Sequence, residues 1–131
     1  MKPLVFVWSL PTTLFGLAFA ALGTPFGARL RRAAHGYESL AHPLVFARCA
    51  VTLGAVVCYG RGAHPETRLP NGVALAEHER QHVIQARRLG PLYLPLHVAF
   101  GVWAWLRDGR WHGPANALER GPLANPPRPW A

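Results

Sequence analysis

The chain has 131 residues, 50% hydrophobic and 15% charged, with 14 Lys+Arg against 6 Asp+Glu for a formal net charge of +8. That length holds one domain whose core needs no disulfide or structural metal for want of size, and the composition excludes intrinsic disorder. It leaves the membrane open, because apolar content near one half with few charges suits either a greasy soluble domain or bilayer-seeking helices.

From Pro3 to Ala28 no side chain is charged, and Leu4 to Leu22 is interrupted only by Ser9, Pro11, Thr12 and Thr13. The stretch is long enough to span a bilayer as a helix kinked at Pro11. A secretory leader is the competing reading of residues 1–20, with Lys2 as a minimal basic start and Ala18-Phe19-Ala20 as a small-x-small cleavage pattern. A second apolar run, Pro43 to Gly60, carries the single charge of Arg48 and reads as a helix at an interface or packed inside the protein. Cys49 and Cys58 lie in this run, at neither a redox nor a zinc-knuckle spacing, and read as buried thiols.

Residues 73–89 predict the clearest helix, opened by Asn71 as N-cap and closed by Gly90 with Pro91 behind it. On a 3.6-residue period Leu75, His78, His82, Gln85 and Leu89 share one stripe, with Arg80, Arg87 and Arg88 turned away. A third apolar run, Leu89 to Leu106, has Tyr93 at its start and Trp103 and Trp105 at its end, where interfacial aromatics anchor a span. From Arg107 onward Gly and Pro abound, so regular structure there should be short. No stretch alternates as a strand should. The expectation is all-α: one helical domain over 1–131, a compact bundle of about four helices with membrane-seeking members and a Pro/Gly-rich tail, residues 1–60 hydrophobic and 71–121 carrying the chemistry.

That chemistry is His78-Glu79-Arg80-Gln81-His82, an HExxH. Imidazoles at i and i+4 lie one turn apart on one face and can hold one zinc ion, while the Glu beside the first His reaches a water on it. A catalytic zinc wants three protein ligands and an open position. Among His97, His112 and Glu119, the preferred third ligand is Glu119, the only Glu after the motif, although an ion pair with Arg120 or Arg128 would equally occupy it. Gln85 and Asn116 are candidates to orient imidazoles, and Tyr93 or His112 to steady an oxyanion.

HExxHxxQ running into Leu89-Gly90-Pro91-Leu92-Tyr93-Leu94-Pro95, with a later Asn116-x-x-Glu119-Arg120, resembles a group of small, hydrophobic, largely uncharacterised bacterial proteins with a zincin-like motif. More broadly it is similar to the gluzincin metallopeptidases. The resemblance implies zinc on His78, His82 and Glu119, with Glu79 as base. The gluzincin cleft also carries an edge strand that pairs with extended substrate, and none is visible here; Ala76-Glu77 replaces the usual bulky lead, and Ala117-Leu118 stands where Pro-Phe is expected.

The expected function is therefore a membrane-associated zinc-dependent hydrolase, a small metallopeptidase acting on a peptide or protein, with Glu79 as general base. The alternative is a helical membrane protein with a structural or catalytically silent metal site. Membrane lipid is the expected partner and a bacterial inner membrane the expected location, with orientation unassigned. Nucleic acid is disfavoured, because the Arg residues are spread over every connection without an aromatic-basic motif.

Overall fold

A computed structural model describes residues 3–130. In chain order it has α1 (Pro3–Gly23), a short 3-10 turn, β1 (Arg29–Ala33), β2 (Gly36–His42), β3 (Ala50–Leu53), β4 (Val56–Gly60), α2 (Leu75–Leu89), a second 3-10 turn and α3 (Tyr93–Asp108). The strands form one mixed sheet in the order β1-β2-β4-β3, with β2 parallel to β4 and the other pairs antiparallel. This is an α/β fold. The all-α four-helix expectation is overturned.

The second apolar run accounts for the error. It supplies β3 and β4, joined by a two-residue turn whose first position, Gly54, has φ +68°. Helices cover both faces of the sheet. On one face Val56 and Cys58 of β4 pack with Ala20 of α1. On the other, Val57 and Tyr59 pack with Leu75 and Val83 of α2 and Leu40 of β2. A strand buried on both sides has no polar alternate positions, so Val56-Val57-Cys58-Tyr59 reads as a continuous apolar run. Residues 1–60 are therefore not a helical half: α1 is their only α-helix among the described residues, and Arg48 and Cys49 lie exposed in the loop before β3. Cys49 is thus not the buried thiol expected; Cys58 is buried, and burial pushes its pKa up to about 12.

The HExxH helix starts later than anticipated, with Ala74 as N-cap. Asn71 instead accepts from the Val73 amide and donates to the Leu123 carbonyl, fastening the entry loop to the tail. Gly90 does close the helix, at φ +57°, and α3 continues almost at once. No helix or strand follows Asp108 among the described residues, as the Gly and Pro content led one to expect.

Helix α1 buries Ser9, Thr12, Gly16, Ala20 and Gly23 against the body. Gly16 sits so close to Leu53 that a Cβ would strike its carbonyl. The indole N–H of Trp8 donates to the Arg88 carbonyl, and Thr12 donates to that of Gly90, fixing α1 to the corner between α2 and α3. Helix α1 thus forms one layer of the described fold. Two helical runs, Val7–Phe26 and Leu75–Asp108, are long and apolar enough to cross a membrane.

Candidate metal centre

His78 and His82 both lie on the face of α2 that packs inward, one turn apart, as the period required. Each ring is fixed through Nδ1. His78 donates to the Pro122 carbonyl at 3.1 Å, and His82 to the Gln85 side-chain oxygen at 2.8 Å. Gln85 is itself held, its amide nitrogen donating to the carbonyls of Leu118 and Pro129, so its oxygen must face His82. With both Nδ1 atoms acting as donors, both Nε2 atoms turn towards Glu119, 3.3 Å from His78 and 3.2 Å from His82.

Glu119 is not carried by an α-helix. It comes from a tail of successive turns, which Asn116 shapes by donating to the Trp111 carbonyl and accepting from the Leu118 amide. Asn116 therefore reaches no imidazole and acts one step back, by building the turn that presents Glu119. Burial alone would push the Glu119 carboxyl up; hydrogen bonds from His112, His78 and His82 outweigh it and hold the group well below the usual carboxylate range. His78, His82 and Glu119 are all buried, their ligand atoms lie within 4.8 Å of one another, and the cluster can hold a metal ion. One observation supports the fit: Oε2 of Glu119 is buried without a hydrogen bond of good geometry. No protein-family model matches the chain, and no curated protein or solved structure does. Function must be read from the site itself.

A cavity of about 30 Å³ opens beside His82 and Glu119, lined among others by Thr52, Glu79, Tyr93, His97 and His112. Glu79 is buried there with Oε1 4.0 Å from His78 Nε2. Its other oxygen accepts a 2.6 Å hydrogen bond from Thr52 on β3. Tyr93 is fully buried and its hydroxyl has no partner. His112 is largely exposed and lies 3.1 Å from Glu119, whose hydrogen bond raises the His112 pKa against the opposing effect of burial.

No edge strand was visible in the sequence beside the HExxH helix; the structure has one, β3, which ends the sheet and meets that helix at Thr52 and Glu79. Sequence reasoning also missed Thr52, the Pro122 carbonyl and the cavity-lining role of His97. Nothing local marks the first two. His97, named above only as a possible third ligand, lies one turn after Tyr93, which puts both on the same side of α3.

Proposed function

We propose that this protein is a membrane-associated zinc-dependent hydrolase, a small metallopeptidase in which Glu79 is the general base. One observation carries the reading: Glu79, His82 and Glu119 line one small cavity beside edge strand β3, and the third ligand, His78, lies 4.0 Å from the Glu79 carboxylate. A set of two imidazoles and one carboxylate suits zinc, which when bound would lower the pKa of a water and polarise a carbonyl. The cavity is large enough for a water beside an ion.

The protein's own groups then have definable tasks. Glu79 takes a proton from water and returns it to the leaving amine. Thr52 holds one Glu79 oxygen by its hydrogen bond, which leaves the other directed to the ligand side. The unpartnered Tyr93 hydroxyl can donate to a developing oxyanion, and the unpaired backbone of β3 can align an extended peptide as an added strand. Association with a membrane, in keeping with a bacterial inner membrane, is supported by the two apolar helical runs.

Metal analysis of the detergent-extracted protein beside His82→Ala is the test. About one zinc per chain in the parent and none in the variant is expected for a three-ligand site. Absence of zinc from a parent prepared without chelator sinks the proposal. A second reading, a catalytically silent metal site, is favoured by the position of His112 on Glu119, where it could close the fourth position. Under that reading Glu79→Gln leaves every cellular phenotype intact, whereas a hydrolase loses its own.

A further inference from the structure

We propose that α1 is an in-plane membrane anchor, lying along the surface of an anionic bilayer with its bulky side chains inserted and the sheet on the aqueous side. The inference concerns attachment and does not rest on the hydrolase reading.

Helix α1 is inverted relative to a helix of a soluble protein. Its buried stripe, Ser9, Thr12, Gly16, Ala20 and Gly23, consists of small and hydroxyl-bearing residues. Its exposed stripe contains Leu4, Val7, Leu14, Phe15 (56% exposed) and Leu22 (61%), spaced at about 3.6 residues and continued beyond the helix by Phe26. A contiguous apolar face of this length on a lone protein marks an interaction surface.

Crossing the bilayer is incompatible with what α1 carries on its other side. Its turns lean in succession on the body: Trp8 and Thr12 on Arg88 and Gly90, Thr13 on the Ala55 amide, Gly16 on Leu53, Ala20 on Val56 and Cys58, Gly23 on His42. If α1 spanned, the sheet would travel with it. The open edges of β1 and β3, and the exposed Arg29, Arg31 and Arg32, would then lie at hydrocarbon depth, where unpaired backbone groups and guanidiniums are not tolerated.

The other apolar run fails as a span for a different reason. Helix α3, at 16 residues, is about 24 Å long against roughly 30 Å of hydrocarbon. Both of its ends are tied to the metal centre. Tyr93 and His97 line the cavity, while Asp108 accepts from the Ala115 amide, three residues after the His112 that sits on Glu119. The remainder of that run, α2, carries the buried ligands and the exposed Arg80 and Arg88.

Charge selects the occupant. Arg88 lies at the N-terminal end of α1, and Arg61 at the C-terminal end, where it donates to the Phe26 carbonyl. Around Arg61 the loop bearing Leu44 and Phe46 extends the apolar surface, with Arg48 exposed beside it. Apolar side chains between guanidiniums, on a chain of net charge +8, fit acidic headgroups over an acyl boundary.

The test uses the full chain, diluted from detergent onto vesicles of phosphatidylcholine alone or mixed with phosphatidylglycerol. Flotation with the mixed vesicles is expected, and Phe15→Glu/Leu22→Glu should lower the bound fraction about tenfold or more while keeping its metal. Unchanged flotation of the double variant, or a lipid-free dimer that the double variant dissolves, overturns the proposal, the latter by showing a second copy on this face. A labelling experiment keeps the proposal falsifiable if the double variant misfolds. Cys49 reports the C-terminal end of α1, and Arg88→Cys in a Cys49→Ser background reports the N-terminal end. In spheroplasts and inverted vesicles, an impermeant maleimide should reach both from the same side; labelling from opposite sides establishes a span and ends the in-plane reading.

Discussion

Residues 4–22 and 43–60 look alike as sequence, each a long apolar run with at most one charge, yet they take opposite places in the fold. The second supplies β4, covered by helices on both faces, so that every residue from Val56 to Gly60 is buried. The first becomes a helix that hides its smallest residues and displays its largest. Apolar composition therefore says that a segment avoids water, and not what it is covered by. In β4 the cover is the protein. In α1 it must come from outside.

The largest effect that can break this comparison is a charge placed in each region. Val57→Asp in β4 would bury an unpaired carboxylate between Tyr59, Leu75 and Val83 and should cost about 4 kcal/mol or more. Phe15→Asp on the outward stripe of α1 should cost under about 1 kcal/mol in detergent. Denaturant titrations of the two variants decide it, and equal losses would mean that the outward stripe is covered by protein.

The same contrast explains what the sequence could and could not disclose. The candidate metal ligands were legible because helical spacing is local: His78 and His82 share a face whatever surrounds them, and Glu119 was the only Glu beyond them. Strand β4 was not legible, because a strand covered on both sides loses the alternation that betrays a half-buried one. With β3 unseen, Thr52 had no reason to be placed beside Glu79, and no strand was visible at the edge of the site. The tail shows the intermediate case: Asn116 and Glu119 were singled out together, but only the turn they build reveals that Asn116 shapes backbone and touches no histidine.

Within the site, Gln85 can be set against Thr52. Gln85 fixes His82 and ties α2 to the tail through two carbonyls, so Gln85→Ala should weaken zinc binding about 10- to 100-fold in a chelator competition. The Thr52 hydroxyl hydrogen-bonds to Glu79 and to none of the three candidate ligands. Thr52→Val should leave zinc affinity unchanged and cost about 0.5–1.5 kcal/mol of stability, with Thr52→Ser recovering most of it. A fall in zinc affinity for Thr52→Val would show that β3 positions ligands as well as Glu79.

The smallest expected effect is a dependence on pH in the metal-free protein, and it separates the buried ligands from the exposed His112. Glu119 has its pKa lowered from 4.5, so its contribution is present above that value and is lost as pH falls below it towards the folded-state pKa. His112 has its pKa raised from 6.5, so its contribution is complete below 6.5 and is lost as pH rises through the folded-state value. The two shifts share the Glu119–His112 contact, whose contribution to stability is complete only between these limits. The share of the metal-free protein's melting temperature that this contact supplies, read as the difference between the parent and His112→Ala, should therefore be greatest between pH 4.5 and 6.5 and decline on both sides. His112→Ala should remove the alkaline decline attributable to this contact, a change worth less than about 1 kcal/mol because the ring is 60% exposed. It should leave the acid decline largely in place, since His78 and His82 still hold the Glu119 carboxylate from the buried side.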